Sequence, residues 1–141
     1  MSAFYTAHHA TEAIPATMQA SDHHVAVLGA SPKPARYANQ AIRLLLEHGY
    51  RVTPIHPRFR EIEGLTVANT LDQVPRPVDT LTLYVGPERL EPQIPALVAL
   101  APGRVIFNPG TESRVFQQAL DAAGIPWFEA CTLVLLKTRQ F

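Results

Sequence analysis

The sequence has one cysteine, Cys131, and no excess of charge of either sign. A single cysteine excludes an internal disulfide framework and a zinc site built from several cysteines, and it favours a reducing compartment such as the cytoplasm. Twelve Lys and Arg residues balance twelve Asp and Glu residues, so no overall field would hold nucleic acid or an anionic membrane. An anionic ligand would therefore have to be bound locally.

Long apolar runs are also missing. No stretch could span a bilayer, and residues 1–22 lack the basic flank and apolar segment of a signal sequence. We expect one cytoplasmic domain over residues 23–141, preceded by an arm at residues 1–22 that is either disordered or docks on an apolar edge of the domain or of a partner chain, as in a homo-oligomer. The histidine pairs have no carboxylate or cysteine partners at ligand spacing, so no metal site is expected.

Apolar runs and helical spacings alternate along the rest of the chain. Short apolar runs predict buried strands at residues 25–28, 51–55, 78–85, 104–107 and 126–130. Helical spacing predicts helices near residues 38–48, 90–98 and 115–123, the last with Thr111 as its cap, whereas residues 133–136 are apolar without a clear type. This order predicts an α/β fold, a Rossmann-like three-layer sandwich with a five-stranded, mainly parallel sheet and a ligand site beyond the carboxyl ends of its strands.

The turn after the first strand has the composition of a phosphate-binding loop. Gly29 permits a tight turn, Ala30 is small enough for close backbone approach, and Ser31 offers a hydroxyl ahead of a helix N-terminus. Lys33 and Arg36 add cations suited to a pyrophosphate. The alternative is an ordinary strand-to-helix turn, because the second and third glycines of a complete dinucleotide fingerprint are absent.

The end of the second strand bears on which nucleotide is bound. NAD-binding folds place an acidic residue there to hold the ribose hydroxyls, but this chain has His56, Pro57 and Arg58, with a further cation at Arg60. Cations suit a nucleotide with an extra ribose phosphate, which is coenzyme A or NADP rather than NAD. The alternatives are a solvated loop and a capping or packing role for His56.

Two later loops complete the predicted crevice. The loop after the third strand, with Tyr84, Val85 and Pro87, could form an apolar wall against an adenine ring, or it could be the core end of a strand. The turn after the fourth strand would offer a second helix N-terminus to a pantetheine arm or an acyl group, or it could simply begin a structural helix; its residues are Asn108, Pro109, Gly110 and Thr111.

No catalytic constellation can be assembled from the sequence. There is no Ser-His-Asp arrangement and no pair of carboxylates at suitable spacing, so catalytic residues are not assigned and catalysis is left open. Cys131 follows the fifth strand in apolar surroundings, where a free cysteine is usually a small buried hydrophobe. A redox or thioester role is its alternative.

Several of these segments resemble a known family when their order and spacing are taken together. They are residues 27–36 (VLGASPKPAR), 48–57 (HGYRVTPIHP), 61–65 (EIEGL), 78–85 (VDTLTLYV), 106–112 (IFNPGTE) and 129–134 (EACTLV). On these motifs the chain resembles the small stand-alone proteins of the CoA-binding domain family, which are similar to the CoA-binding domain of the succinyl-CoA synthetase alpha subunit.

The resemblance implies coenzyme A or acyl-CoA as the ligand, held by the glycine turn and the three later loops. Many relatives carry Asn-Pro-Lys after the second strand, where this chain has His56-Pro57-Arg58. The synthetase's catalytic histidine belongs to a domain outside the resemblance, so no ligase activity is implied.

Three hypotheses follow, in decreasing order of support. The first is a CoA or acyl-CoA binding protein without catalysis of its own, acting as a carrier, sensor or regulator. The second is an NADP-dependent or CoA-thiol-exchanging enzyme that uses the same crevice, with Cys131 near the sulfur end of the ligand. The third is an interaction subunit that works through the arm and whose crevice is vestigial.

Overall fold

The computed structural model describes residues 19–141, which include the last four residues of the arm, and the backbone of a two-residue strand nearer its start; residues 1–5 and 8–18 lie outside the described residues. In chain order the elements are β1 (Thr6–Ala7), β2 (His24–Leu28), α1 (Tyr37–Glu47), β3 (Arg51–Ile55), β4 (Glu61–Ile62), β5 (Leu65–Thr66), β6 (Thr80–Leu83), α2 (Pro87–Leu90), α3 (Ile94–Ala99), β7 (Arg104–Phe107), α4 (Arg114–Ala123), β8 (Trp127–Glu129) and α5 (Thr132–Lys137). No helix in this described part is both long and apolar enough to cross a membrane.

The main sheet confirms the predicted Rossmann-like α/β fold. Its strand order is β3-β2-β6-β7-β8-β1, and the five strands from β3 to β8 are parallel. The short β1 adds an antiparallel edge strand beside β8. β2 lies between β3 and β6. The chain runs from β2 to β3 on one side and then crosses to β6 on the other side. This reversal of the strand order opens a crevice at the carboxyl ends of these strands.

Helices cover both faces of the sheet. Alternate residues of β2 face opposite layers, as the pleat requires: Val25 and Val27 pack with residues of α1, whereas Ala26 and Leu28 belong to the cluster that contains residues of α4. The side chains that the two helices bury there include Ile42 and Leu45 from α1 and Phe116 and Leu120 from α4. Each such burial contributes about 1.5–3 kcal/mol.

Three local features differ from the sequence expectations. The helix predicted near residues 90–98 is divided into α2, a 3-10 turn at Glu91–Gln93 and α3, because Pro92 and Pro95 take early helical positions, where no backbone donor is needed. Thr111 is not the cap of α4: that cap is Ser113, whose side chain accepts a hydrogen bond from the Phe116 N–H at 3.1 Å. The antiparallel hairpin of β4 and β5 was not predicted.

Candidate functional site

A cleft of about 660 Å³ lies at the carboxyl ends of β2, β3 and β6. It brings together most of the residues that the sequence predicted for the site: Gly29, Ala30, Ser31, Lys33, Arg36, His56, Pro57, Arg58, Tyr84 and Val85. Pro87, Asn108, Pro109, Gly110 and Thr111 are not among the residues that line it. The predicted binding role of those five stays a prediction.

Glycine is required at position 29 for two separate reasons. Its φ of +86° lies in the left-handed region, and a Cβ built there would lie 2.6 Å from the Tyr84 carbonyl oxygen. The N–H groups of Gly29 and Ala30 both donate to the Ile55 carbonyl oxygen, each at 3.2 Å. These two donors are therefore used within the fold, and an anion would have to be held by groups further along the loop.

The following residues offer such groups. Ser31 Oγ accepts a hydrogen bond from the Lys33 N–H at 3.1 Å, which leaves the hydroxyl proton available to a ligand. Helix α1 then begins at Tyr37 without a side-chain cap, so the N–H groups of its first turn lack intrahelical partners. Because Tyr37 and Ala38 line the cleft, the positive end of the helix dipole faces it.

The turn after β3 is held in place by side chains. His56 Nδ1 accepts a hydrogen bond from the Arg58 N–H at 3.1 Å, and the His56 and Phe59 ring centroids are 4.4 Å apart. Asn69 Nδ2 donates to the carbonyl oxygens of His56 and Phe59, at 2.8 Å each. The cation at Arg58 is thereby carried on an ordered turn at the edge of the cleft.

The same contacts define the chemistry of the His56 ring. A backbone N–H can only donate, so Nδ1 carries no proton and the neutral ring has its proton on Nε2. Partial burial lowers the pKa of His56, and the charges of Arg58 and Arg89 lower it further. His56 therefore presents a neutral N–H donor.

The charges that line the cleft are all positive. Lys33, Arg36, Arg58 and Arg89 line it, and no Asp or Glu is found among its described lining residues. None of the four forms an ion pair with a carboxylate in the described part of the chain. An anionic ligand would thus meet several unneutralised cations in a local site, although the chain as a whole carries a formal net charge of +0.

Sequence reasoning missed four lining residues of functional interest: Tyr37, Phe59, Asn69 and Arg89. Tyr37 and Phe59 are 71% and 37% exposed, and aromatic rings exposed in a cleft suit stacking on a purine. Arg89 was missed because the prolines around it obscured the start of α2. The aromatic identity of Phe59 next to the cationic turn was the one available signal.

Tyr84 contributes its backbone and ring, but its hydroxyl is turned away from solvent. Burial raises the pKa of Tyr84. The hydroxyls of Thr132 and Thr82 lie close to its Oη, although no well-aligned hydrogen bond forms. Tyr84 is therefore a neutral residue of the wall.

The turn after β7 is fastened to the interior. Asn108 Nδ2 donates to Thr82 Oγ1 at 2.7 Å and to the Leu83 carbonyl oxygen at 2.8 Å, while its Oδ1 accepts from the Thr132 N–H at 2.8 Å. The Thr111 hydroxyl donates to the Asn108 carbonyl oxygen at 2.8 Å. These side chains stabilise the turn and join β6, β7 and α5.

Cys131 is half-buried at the start of α5 and does not line the cleft. In the described part of the chain, no group of three or more His, Cys, Asp or Glu side chains is arranged to hold a metal ion. The residues that line the cleft combine cations, hydroxyl and amide groups and aromatic rings with apolar side chains such as Leu28, Ile55 and Val85.

The chain matches a family model, solved structures and a curated protein. A family model described as a CoA binding domain matches residues 23–137. A crystal structure of an uncharacterised protein is 37% identical, with a TM-score of 0.80, and the match covers 84% of this chain and 98% of that one. The structure of cell-free ID.343 from Thermus thermophilus is also 37% identical, with a TM-score of 0.78 and coverage of 84% and 90%.

A curated relative matches over a shorter region. The uncharacterised protein YneT of Bacillus subtilis (strain 168) is 26% identical over 66 residues, which are 47% of this chain. The match covers about half of the relative, 49% of its length.

Proposed function

Because the chain belongs to the family of CoA binding domains, we propose that it binds coenzyme A or an acyl-CoA in the cleft at the carboxyl ends of β2, β3 and β6. The observation that carries this proposal is the set of four cations without a lining carboxylate. Coenzyme A carries a diphosphate and a separate ribose phosphate, so it needs positive charge at two places.

The two places correspond to different parts of the cleft wall. We assign the diphosphate to the Ser31 hydroxyl, the first turn of α1 and the cations Lys33 and Arg36, which follow one another in the chain. We assign the ribose phosphate to Arg58 and Arg89, whose charges both act on His56. Charge-assisted hydrogen bonds from arginine to phosphate are among the stronger polar contacts in proteins.

We further propose that the protein is a cytoplasmic carrier, sensor or regulator without catalysis of its own. The lining residues supply binding groups: cations, hydroxyl and N–H donors and aromatic rings. His56 is the lining imidazole, and its unprotonated Nδ1 is already occupied by the Arg58 N–H, which leaves that nitrogen unable to take a proton from a substrate.

Thermal denaturation with coenzyme A, 3'-dephospho-CoA, NADP and NAD tests the proposal. Coenzyme A should raise the unfolding midpoint most, since a ligand at 100 times its Kd stabilises by about 2.7 kcal/mol. 3'-Dephospho-CoA, which lacks the ribose phosphate, should raise it less. A larger effect of NADP than of coenzyme A would show that the site prefers NADP. No effect of any of the four ligands would refute nucleotide binding.

A further inference from the structure

The glycine turn is supported from behind by a buried amide. Asn39, on α1, is fully buried, and its Nδ2 donates to the Ser31 carbonyl oxygen at 2.9 Å and to Glu63 Oε2 at 3.1 Å. Its Oδ1 accepts a hydrogen bond from Arg43 Nε at 2.8 Å, and Arg43 Nη2 donates to the Pro34 carbonyl oxygen at 2.9 Å. The nitrogen and the oxygen of the Asn39 amide are therefore both held by partners.

The loop needs this support because its own backbone has few N–H groups free to form hydrogen bonds. Pro32 and Pro34 have no N–H to donate, and the N–H groups of Lys33 and Arg36 are used in local turns, to Ser31 Oγ and the Lys33 carbonyl oxygen. The carbonyl groups of Ser31 and Pro34 are therefore anchored to α1 by side chains. Movement of the Ser31 carbonyl would also move the Ser31 hydroxyl, which faces the diphosphate in the proposed complex.

Three partners, Ser31, Glu63 and Arg43, fix the direction of the amide. A carboxylate and a carbonyl oxygen can only accept, and the Arg43 guanidinium can only donate, so the amide nitrogen must face Ser31 and Glu63. Glu63 comes from the tip of the β4–β5 hairpin, where its backbone has a φ of +52°. The hairpin thus contacts Asn39 through the Glu63 carboxylate, and its residues do not line the cleft.

We infer that Asn39 is the positioning residue of the phosphate-binding loop and that Glu63 and Arg43 together hold its amide in the orientation that anchors Ser31. The inference deepens the proposed function and rests on it for the ligand. Asn39 does not touch the ligand; it acts through Ser31.

The double variant N39D/E63Q separates positioning from stability. In N39D, the new carboxylate faces two acceptors, Glu63 and the Ser31 carbonyl, which should destabilise the fold. Adding E63Q supplies an amide donor to the carboxylate introduced at position 39 and leaves Arg43 as its other donor, so stability should return towards that of the unchanged protein. The Ser31 carbonyl still has no donor, so we expect the Kd for coenzyme A to stay about tenfold higher, the loss typical of one ordering hydrogen bond.

The measurements are urea unfolding, calorimetric titration with coenzyme A, and amide hydrogen exchange of Lys33, Ala35 and Arg36 without ligand. R114Q, an exposed substitution at the start of α4 outside the cleft, is the control. Restored coenzyme A affinity in the double variant would show that Asn39 acts through stability alone and would overturn the inference.

Hydrogen exchange keeps the inference separate from the proposed function. Faster exchange at the amides of Lys33, Ala35 and Arg36 in the double variant supports the anchoring role even if the unchanged protein does not bind coenzyme A, in which case only the proposed function fails. Unchanged exchange in that segment overturns the anchoring role whether or not coenzyme A binds.

Discussion

The backbone N–H of Arg58 donates to His56 Nδ1 at 3.1 Å, across two positions of the chain. An asparagine side chain can close the same kind of turn through its Oδ1. His56 closes it through a ring nitrogen, and the same ring also contacts Phe59.

This relationship predicts different outcomes for two substitutions of His56. H56N can still accept from the Arg58 N–H, so it should retain the turn and bind coenzyme A more tightly than H56A does. H56A leaves the N–H without its partner and should weaken binding by about three- to tenfold, the effect of one neutral hydrogen bond. Calorimetric titration of both variants tests this, and equal affinities would show that the turn does not depend on the side-chain acceptor.

The second prediction concerns the two arginines that act on His56. R58Q and R89Q should each raise the Kd for coenzyme A by about ten- to hundredfold, because a hydrogen bond to a charged group contributes about 1.5–3 kcal/mol. Both should change the Kd for 3'-dephospho-CoA much less. R114Q is the matched control outside the cleft, and equal losses for both ligands would place the arginines away from the ribose phosphate.

The third prediction separates steric overlap from backbone strain. G29A and G124A both force a residue with a side chain into a left-handed conformation, with φ of +86° and +71°. Apart from its neighbours in the chain, no heavy atom of the described structure lies within 4 Å of a Cβ at position 124, whereas at position 29 the Tyr84 carbonyl oxygen lies 2.6 Å away. G124A should lower the free energy of unfolding by about 1–2 kcal/mol, and G29A should lower it more. Similar losses in urea unfolding would refute the steric argument.

The fourth prediction concerns pH and the far end of the sheet. The pKa of His23 is lowered from 6.5 to about 4, chiefly by burial and also by the charges of Arg104 and His24, with Asp79 acting in the opposite direction. His23 is 3% exposed, its Nε2 lies 2.8 Å from Thr80 Oγ1, and its ring stacks on Phe141. It is therefore held neutral in the folded state.

The unfolded chain binds a proton at His23 between pH 6.5 and 4 and the folded chain does not, so this residue makes the free energy of unfolding fall as the pH falls through that window. The loss should approach about 3 kcal/mol, at about 1.4 kcal/mol per pKa unit. Urea unfolding across this range should show a steeper loss for the unchanged protein than for H23Q. The same slope in both would assign the pH dependence to other groups.

The main sheet and the first two loops were predictable because their signals are local. Apolar runs mark strands buried on both faces, and Gly29 and Gly49 stand where the chain must take positive φ. The cationic turn at His56–Arg58 was predictable from composition alone.

Contacts between distant segments were not predictable in the same way. Asn39 and Glu63 are 24 residues apart in the sequence, and Asn69 is 13 residues from His56. No local sequence pattern predicts either contact. Asn108 shows the opposite case. The sequence does not distinguish an asparagine whose amide faces a ligand from one whose amide faces the interior. In the structure the Asn108 amide forms hydrogen bonds with the backbone of Leu83 and Thr132.

The cations of the cleft also bear on how long the protein would survive without a bound anion. Lys33, Arg36, Arg58 and Arg89 place charge of one sign on the walls of one cleft, and an anionic ligand would offset that charge and stabilise the folded state as it binds. Resistance to proteolysis would then rise with the concentration of the ligand, so the lifetime of the protein would depend on how much of that ligand is present.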